Sequence, residues 1–532
     1  MRPVKRVLLG SAAGVFAVAG AQAADLAVKA KPVEYVKVCS LYGAGFWYVP
    51  GTDTCIKIGA FVKLQLQENM AGTGPFMLGG AAGGIGTVDA GGRNNRWDTS
   101  PFTIAGRQAA VSFDMRTQTE YGTLRSYFDA VMNVGGSDAQ NGGNNGGIAG
   151  TTAGNPASPN QLNSVTLVNT RAFIQFAGFT AGRMRSFFDM YFQGTYAFAG
   201  QRFSNDTSPN GILGIAYTWQ FGGGLSASLS LEDSGEVAGA RGRLVVNEGT
   251  NPIAVAGNDT FDNKGTQFFD PVANLRLDQA WGFVGASVAL HDASAGYYGS
   301  PINPVTAPLE GNGHPGDKFG WAATAAFLVN NPLGLQGDAI AGQAVYSKGA
   351  SGYAVPGSPT AFFGPGLKLG FGFLADALFT GTSAANGTSE ELTTVWSANA
   401  AYEHRWNPQW RTSIYGGLVG VQFDGTAQNM ICAALGIPGF ARNPGANAAT
   451  TPVSGTGCSP NWSLSELGSR TLWNPVPDLD VGFDVVWYHL NTAFNGGIAT
   501  LGQVGAKPAG NYTISNQDAL GAVFRIQRNF LY

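Results

Sequence analysis

Three arginines share the polar side of segments in which polar and apolar residues alternate: Arg116, Arg125 and Arg171. Successive side chains of an extended chain point to opposite faces, so strand parity puts these arginines on one face. That face also holds Asp114, Gln118, Tyr127 and Gln175, and the opposite face holds Val111, Phe113, Leu124, Phe128, Ile174 and Phe176. Fixed cations beside a narrow aqueous passage would act on solutes through their electric field, without a covalent step. The alternative is that the arginines pair with neighbouring acids and only satisfy a polar wall.

Covalent catalysis and metal binding find little support among the other side chains. The four histidines are widely scattered, at His291, His314, His404 and His489. The sequence shows no Ser/His/Asp order, paired-carboxylate motif or phosphate-binding glycine loop with a lysine. We therefore predict no enzymatic activity, no cofactor and no metal site. An enzyme site assembled from distant loops stays open as an alternative, as does a calcium ion near Asp259, Asp262 and Asn263, although such acidic turns are usually just solvated.

The cysteines fall into two local pairs, Cys39 with Cys55 and Cys432 with Cys458. An even cysteine count in an exported chain favours disulfides, and the spacing favours local pairing over the two crossed connectivities. Four free thiols or a metal site are the alternatives, but there is no Cys-x-x-Cys and the histidines are far apart.

The N-terminus has the pattern of a secretory signal. Basic residues precede an apolar stretch, and small residues end it at Ala23, so residues 1–23 are predicted to be removed. That stretch is too short for a membrane helix, and no later stretch is apolar for the roughly 20 residues that span a bilayer. Without residues 1–23, which hold three of the 31 basic residues, 28 Lys and Arg face 34 Asp and Glu, a net charge of −6. This balance argues against a nucleic-acid binder.

The clearest structural element is a hairpin with period-2 alternation on both arms. Apolar residues occupy one face of each arm, namely Leu213, Ile215, Tyr217, Trp219 and Phe221, then Leu225, Ala227, Leu229 and Leu231. Small and polar residues occupy the other face, and Gly222 to Gly224 form the turn. Because one face is apolar and the other polar, the pattern suits strands that face lipid outside and water inside.

Further hairpins are predicted along the chain, beginning with a strand from Ile56 to Gln67 and ending with one from Leu520 to Tyr532. Short turns are expected near Tyr121, Gly178, Gly222, Trp281, Asn331, Asn407 and Asn474. These seven turns and eight long loops predict an all-β fold, a transmembrane antiparallel β-barrel of about 16 strands with both termini on the short-turn side. The boundaries between Lys348 and Glu391 are poorly defined, and Leu367 to Phe379 could be mistaken for an additional strand, which changes the strand count by about two.

Four segments resemble the alphaproteobacterial outer-membrane porins. They are VEYVKVCSLYGAGFWYVPGTDTCIKIG at 33–59, TQTEYGTLRSYFDA at 117–130, FIQFAGFTAGRMRSFFD at 173–189 and WNPVPDLDVGFDV at 473–485. The chain departs from the pattern in ending with Tyr532 rather than phenylalanine and in placing Arg528 on the lipid-facing side, which is tolerable only near the interface.

The resemblance implies a homotrimer of sixteen-stranded barrels in a Gram-negative outer membrane, in contact with lipid and lipopolysaccharide. Residues 24–532 would form one barrel domain, with 24–55 as a lead-in closed by a disulfide. The third long loop, Phe187 to Gly211, would fold inward, bringing Asp189, Arg202 and Asp206 to the constriction opposite Arg116, Arg125 and Arg171. Its aromatic residues would anchor it to the wall and its carboxylates would face the passage.

The function implied by the resemblance is passive diffusion of small hydrophilic solutes and ions. Two other functions stay open: a channel with a binding site for one class of solute, and a surface adhesin or receptor whose loops do the work. No nucleic-acid partner is expected.

Overall fold

The fold is described from a computed structural model. It covers residues 39–68, 78–79, 102–134, 165–190, 193–198, 207, 211–234, 241–248, 262–299, 307–355, 358–359, 362–364, 366–434, 453–454, 458–501 and 508–530. The predicted signal segment, residues 1–23, lies outside these ranges.

Sixteen antiparallel strands form a closed barrel in the described part of the chain. They are β1 Thr54–Glu68, β2 Phe102–Thr119, β3 Gly122–Val134, β4 Ala172–Phe176, β5 Phe179–Met184, β6 Ile212–Gly222, β7 Leu225–Glu232, β8 Asp270–Gln279, β9 Gly282–Asp292, β10 Phe319–Asn330, β11 Ala339–Lys348, β12 Thr394–Arg405, β13 Trp410–Gln422, β14 Trp462–Trp473, β15 Leu479–Asn491 and β16 Gln517–Phe530. A short strand, Val165–Val168, precedes β4 and pairs with β3.

The last strand closes the barrel by pairing with the first. In this register Ala60 of β1 lies opposite Phe530 of β16, and Glu68 lies opposite Ala522. Closure leaves no open sheet edge along the described strands, so neighbouring strands pair their backbone polar groups where water is absent. The predicted number of strands and the pairing of the two terminal strands are confirmed.

The two faces of the wall have the predicted polarity. Along β6 and β7, Ile215, Leu229 and Leu231 point outward and are 60%, 50% and 49% exposed. On the inner face of β7, Ser230 and Glu232 are buried. Exposed leucine and isoleucine all along the outside would be unfavourable in water but suit a lipid environment.

Connections between the strands alternate in length, with seven short turns at one mouth and eight long loops at the other. All seven predicted turns are present. The turn between β6 and β7 contains Gly222, Gly223 and Gly224, each at positive φ. A Cβ on Gly224 would lie 1.9 Å from the carbonyl oxygen of Asp278 in β8, so only glycine fits there. In barrels of this kind the short turns are periplasmic and the long loops extracellular.

The exposed Arg528 lies beside one of these short turns. Its guanidinium donates to the carbonyl oxygen of Pro477 at 3.4 Å, in the connection between β14 and β15. It therefore lies at the membrane interface, where a charge on the lipid-facing side is tolerated.

Among its described residues, the region between β11 and β12 contributes no barrel strand. Instead Lys368–Gly370 and Ala377–Phe379 are short strands of small sheets in the loops. One sheet joins Val245–Asn247, Ala377–Phe379 and Glu391–Leu392, and another joins Phe362–Gly364, Lys368–Gly370, Gly510–Ile514, Ile498–Leu501 and Val453–Ser454. Two further short pairs are Leu78–Gly79 with Ser358–Pro359 and Trp47–Tyr48 with the start of β1.

Helices are few in the described ranges. The α-helices are α1 Ser351–Ala354 and α2 Gly425–Ala434, and single 3-10 turns occur at Ser40–Tyr42, Gln193–Thr195, Glu310–Asn312 and Pro332–Gly334. Among the described residues, no helix has both the length and the apolar character needed to span a bilayer.

Both predicted disulfides are present, Cys39–Cys55 and Cys432–Cys458, with sequence separations of 16 and 26. The first closes a segment that folds against the inner wall at the periplasmic mouth, since Cys55 lies opposite Arg116 of β2 and shares its inward face. The second ties α2 to the start of β14. Each cross-link therefore restrains a segment at one mouth of the barrel.

Replacing both cysteines of either pair by serine is expected to destabilise the protein. Chain entropy of loops this short gives roughly 3 kcal/mol for each cross-link, within a range of about 0–5. Urea titration of the vesicle-inserted protein should show lower midpoints for both double variants. Non-reducing peptide mapping of the parent provides the control, and four free thiols there would contradict the assignment.

Candidate functional site

The loop between β5 and β6, residues 185–211, is called the inward loop below, and its described residues fold into the barrel. Its first residues lie against the wall formed by β8 and β9. The carbonyl oxygen of Phe187 accepts hydrogen bonds from Asn274 Nδ2 at 2.8 Å and from Ser287 Oγ at 3.2 Å. Because Asn274 and Ser287 belong to the inner faces of their strands, the inward loop lies inside the lumen. The predicted inward folding of the third long loop is thus present.

Farther along, the inward loop is bonded to a second part of the wall, β13 to β15. Three backbone atoms of the loop take part, and all three partners are lumen-facing side chains. The contacts are Arg470 Nη2 to Thr195 O at 2.6 Å, Ser413 Oγ to Tyr196 O at 2.5 Å, and Phe198 N to Asp484 Oδ2 at 2.5 Å. Backbone contacts of this kind fix the path of the loop independently of its side chains.

Aromatic side chains strengthen the attachment, as predicted for this loop. The guanidinium carbon of Arg525 lies 3.8 Å from the ring centroid of Phe198, and that of Arg470 lies 5.2 Å away. Such cation–π contacts contribute most where water is excluded. Burial, reinforced by the nearby carboxylate of Glu403, raises the pKa of Tyr196 to about 12, so its hydroxyl stays neutral.

Asp189 does not face the passage, so this part of the prediction is wrong. Its side chain is 1% exposed and forms an ion pair with Arg241, at 2.5 Å between Asp189 Oδ1 and Arg241 Nη2. It also accepts two hydrogen bonds from Thr207, farther along the inward loop. A carboxylate with this many donors stabilises the loop internally. The other two predicted loop residues, Arg202 and Asp206, lie outside the described residues.

Arg116 and Arg125 are brought together, on β2 and β3. They are directly opposite each other in the register and share one carboxylate. Arg116 donates to Asp114 at 3.0 and 2.8 Å, and Arg125 donates to Asp114 at 3.0 Å from both Nε and Nη2. The side chains are 22% and 16% exposed. Two cations around one anion leave a net positive charge on this part of the wall.

Arg171 is held by different partners, at the end of the inward loop. Its Nη1 donates to the carbonyl oxygen of Thr170 at 2.8 Å. Gly211, where the loop returns to the wall, packs closely here: an added Cβ would lie 2.4 Å from Thr170 O and 3.1 Å from Arg171 Nη1. Arg171 therefore contacts the inward loop, whereas Arg116 and Arg125 form a separate pair.

The two sides of the lumen differ in what covers them. The described part of the inward loop is bonded to β8, β9 and β13 to β15. On β1 to β3 the inner face carries partly exposed cations: Lys57, Lys63, Arg116 and Arg125. The arrangement leaves a wet, positively charged wall across from the inward loop.

Several residues that hold the inward loop were not identified from the sequence. Strand parity could have placed Arg470, Asp484 and Arg525 on the inner face, since each belongs to an alternating strand. Parity alone does not show which inner positions meet a loop from another part of the chain. Arg241 belongs to a long loop and carried no pattern at all.

A closed sixteen-stranded barrel, apolar outside and narrowed inside by one of its own loops, defines a channel of the outer membrane of Gram-negative bacteria. The chain belongs to the Porin subfamily, whose family model matches residues 25–523. The resemblance seen in the sequence is thereby confirmed, and the protein is an outer-membrane porin.

Two curated relatives come from Brucella. Porin Omp2b of Brucella suis biovar 1 (strain 1330) is 29% identical over 321 residues, which are 59% of this chain and 71% of that protein. Porin Omp2a of Brucella ovis is 32% identical over 239 residues, 44% of this chain and 60% of that protein. Among solved structures, the outer membrane channel DcaP of Acinetobacter baumannii has a TM-score of 0.50 and 12% identity, covering 91% of this chain and 99% of that one. That likeness supports the fold alone.

Proposed function

We propose that this porin is a general-diffusion channel for small hydrophilic solutes and ions. The observation that carries the proposal is the asymmetric lumen, in which the inward loop is bonded to one side and partly exposed cations occupy the other. A passage between these two surfaces would be wet, narrow and positively charged on one side. Solutes would move down their gradients, with no covalent step.

We further propose that the cation-bearing wall makes the passage favour anions. Asp114 offsets one of the two charges of Arg116 and Arg125, and Lys57 lies opposite Asp114 in the register between β1 and β2. Confined water screens fixed charges less than bulk water does, so a small excess of positive charge is felt by passing ions. The predicted role of Arg116, Arg125 and Arg171 as a field-forming set rests on this excess.

Solute uptake by liposomes tests general diffusion against a solute-specific channel. Vesicles containing the protein should swell in neutral sugars at rates that fall steadily with solute size and rise in proportion to concentration. A single solute class that enters much faster than others of its size, with saturation, would contradict general diffusion and favour a binding site in the lumen.

We also propose the homotrimer implied by the family resemblance. Chemical cross-linking of the protein in native membranes should trap dimers and trimers and no larger species. A protein that stays monomeric under cross-linking and in mild detergent would overturn this assembly without affecting the channel itself.

A further inference from the structure

A buried arginine of an extracellular loop lies at the root of the inward loop. Arg241 belongs to the connection between β7 and β8, residues 233–269, called loop 4 here. Its side chain is 0% exposed. A guanidinium on a long surface loop would normally be solvated, and its complete burial requires that its charge and donors be satisfied by neighbouring groups.

Arg241 bonds directly to the first limb of the inward loop and is linked to the returning limb through Asp189. Its Nη2 pairs with Asp189 Oδ1, and its Nη1 donates to the hydroxyl of Ser186. Asp189 in turn accepts from the backbone N–H and hydroxyl of Thr207, at 2.8 and 2.5 Å. Ser186 begins the loop and Thr207 lies near its return, so one arginine fastens the start of the inward loop and, through Asp189, its end.

A second carboxylate joins this cluster from the barrel wall. Glu232, at the end of β7, lies 3.3 Å from Arg241 Nη1. It also accepts from Ser186 Oγ at 2.6 Å and from the N–H of Phe187 at 2.8 Å. Arg241 is therefore the cation between two fully or almost fully buried acids, Asp189 and Glu232. Although burial alone would lower the pKa of Arg241, Asp189, Tyr353 and Glu232 raise it, so it stays protonated.

The connection between β11 and β12, residues 349–393 and called loop 6 here, completes the enclosure. The ring of Tyr353 in α1 lies 4.3 Å from the guanidinium carbon of Arg241, and its hydroxyl donates to Asp270 at 2.8 Å. Asp376 of loop 6 accepts from Ser351 and from the N–H of Leu244 in loop 4. Loops 4 and 6 are thus joined to each other directly above the root of the inward loop.

We infer that Arg241 is the positioning residue of the constriction, through which extracellular loops 4 and 6 hold the inward loop in place. The inference rests on the proposal that the inward loop narrows the passage. Removing one member of a buried ion pair leaves a charge without compensation, which is far more costly than removing both. Without Arg241, the buried carboxylates of Asp189 and Glu232 would lose the cation that lies between them, and the inward loop would leave its place to expose Asp189 to water.

Single-channel recording of Arg241→Met tests this inference, because methionine fills similar space without charge. We expect closures and current fluctuations at a fixed voltage to become at least about tenfold more frequent, since each factor of ten needs only about 1.4 kcal/mol of lost loop stability. Arg276→Met is the matched control. Arg276 is also an inward-facing arginine paired with a neighbouring acid, Asp278, and among the described residues it has no hydrogen bond or ion pair with the inward loop. It should shift ion preference and leave the closure rate near that of the parent.

Two additional variants separate charge from packing and guard against misfolding. The channel carrying both Asp189→Asn and Arg241→Met should close less often than the channel carrying Arg241→Met alone, because the double variant has one buried, uncompensated carboxylate fewer. Arg241→Lys keeps the charge, should assemble even if the methionine variant does not, and should show an intermediate closure rate. The inference would be overturned if Arg241→Met closed as rarely as the parent, or if the double variant closed as often as Arg241→Met. If Arg241→Met failed to assemble, a closure rate in Arg241→Lys equal to that of the parent would overturn it instead. Solute uptake by liposomes would still test the proposed function separately.

Discussion

Leu229→Arg is expected to lower the free energy of unfolding by about 2–4 kcal/mol, because it places a guanidinium on the lipid face near the middle of β7. Leu229 is 50% exposed on the outside of the barrel. Its cross-strand neighbours there, Tyr217 and Ala273, offer no acid to pair with the new charge. The cost should appear as a lower urea midpoint for the protein folded into vesicles.

The matched control is Ser226→Arg, on the inner face of the same strand. Ser228 is closer to Leu229, but it is buried and its hydroxyl is 2.8 Å from that of Thr218, so an arginine would not fit there. Ser226 is partly exposed and faces the lumen. Its replacement should change stability by no more than about 1 kcal/mol and alter ion flow instead. Equal loss of stability in both variants would mean that the two faces of this hairpin are wrongly assigned.

Replacing Arg116, Arg125 and Arg171 together by alanine is expected to shift the reversal potential in a salt gradient toward cation preference. Three positive charges disappear, and the carboxylate of Asp114 loses both of its arginine partners. The local charge around Asp114 thus falls by two and comes close to zero, since Lys57 still lies opposite Asp114 in the register. The shift should be larger at low salt, because the Debye length grows from about 10 Å at 0.1 M to about 30 Å at 0.01 M.

Two further variants locate the effect within this set. Asp114→Asn should shift the reversal potential in the opposite direction, since it frees both guanidinium groups from their counter-charge. Replacing only Arg116 and Arg125 by alanine should produce most of the shift in reversal potential seen in the triple variant if the charge balance around Asp114 determines that shift. Arg171 has a second role, because it also supports the end of the inward loop. An unchanged reversal potential at low salt in the triple variant would show that the arginines are structural only.

The barrel could be predicted from the sequence because its signals are local. Each strand carries its own alternation, and each short turn has its own glycine, asparagine or proline, as at Gly222 and Asn331. Neighbouring strands then pair in chain order, so local patterns add up to the whole sheet. The disulfides are also local, which is why export and spacing together favoured the pairs Cys39–Cys55 and Cys432–Cys458.

The interior of the channel could not be predicted in the same way. Asp189 looked like a lumen acid because the cation that buries it, Arg241, lies 52 residues later in another loop. Whether a charged group is buried depends on its partner, and the alternation of polar and apolar residues does not predict a partner that belongs to a distant loop. The region from Lys348 to Glu391 was ambiguous for a related reason. Its Leu369 and Phe371 belong to a buried cluster that also contains wall residues such as Tyr488 and Leu490, whereas its Phe379 packs in a second cluster formed by loop residues.

Single-channel conductance in a planar lipid bilayer tests the central claim most directly, that this barrel encloses an open, water-filled passage. The purified protein should insert in discrete steps of current, each linear in voltage at low voltage and rising with salt concentration without saturation. Adding small neutral solutes should reduce the current only in proportion to their effect on solution conductivity. Folded, heat-modifiable protein that inserts into the bilayer and carries no current would contradict the account.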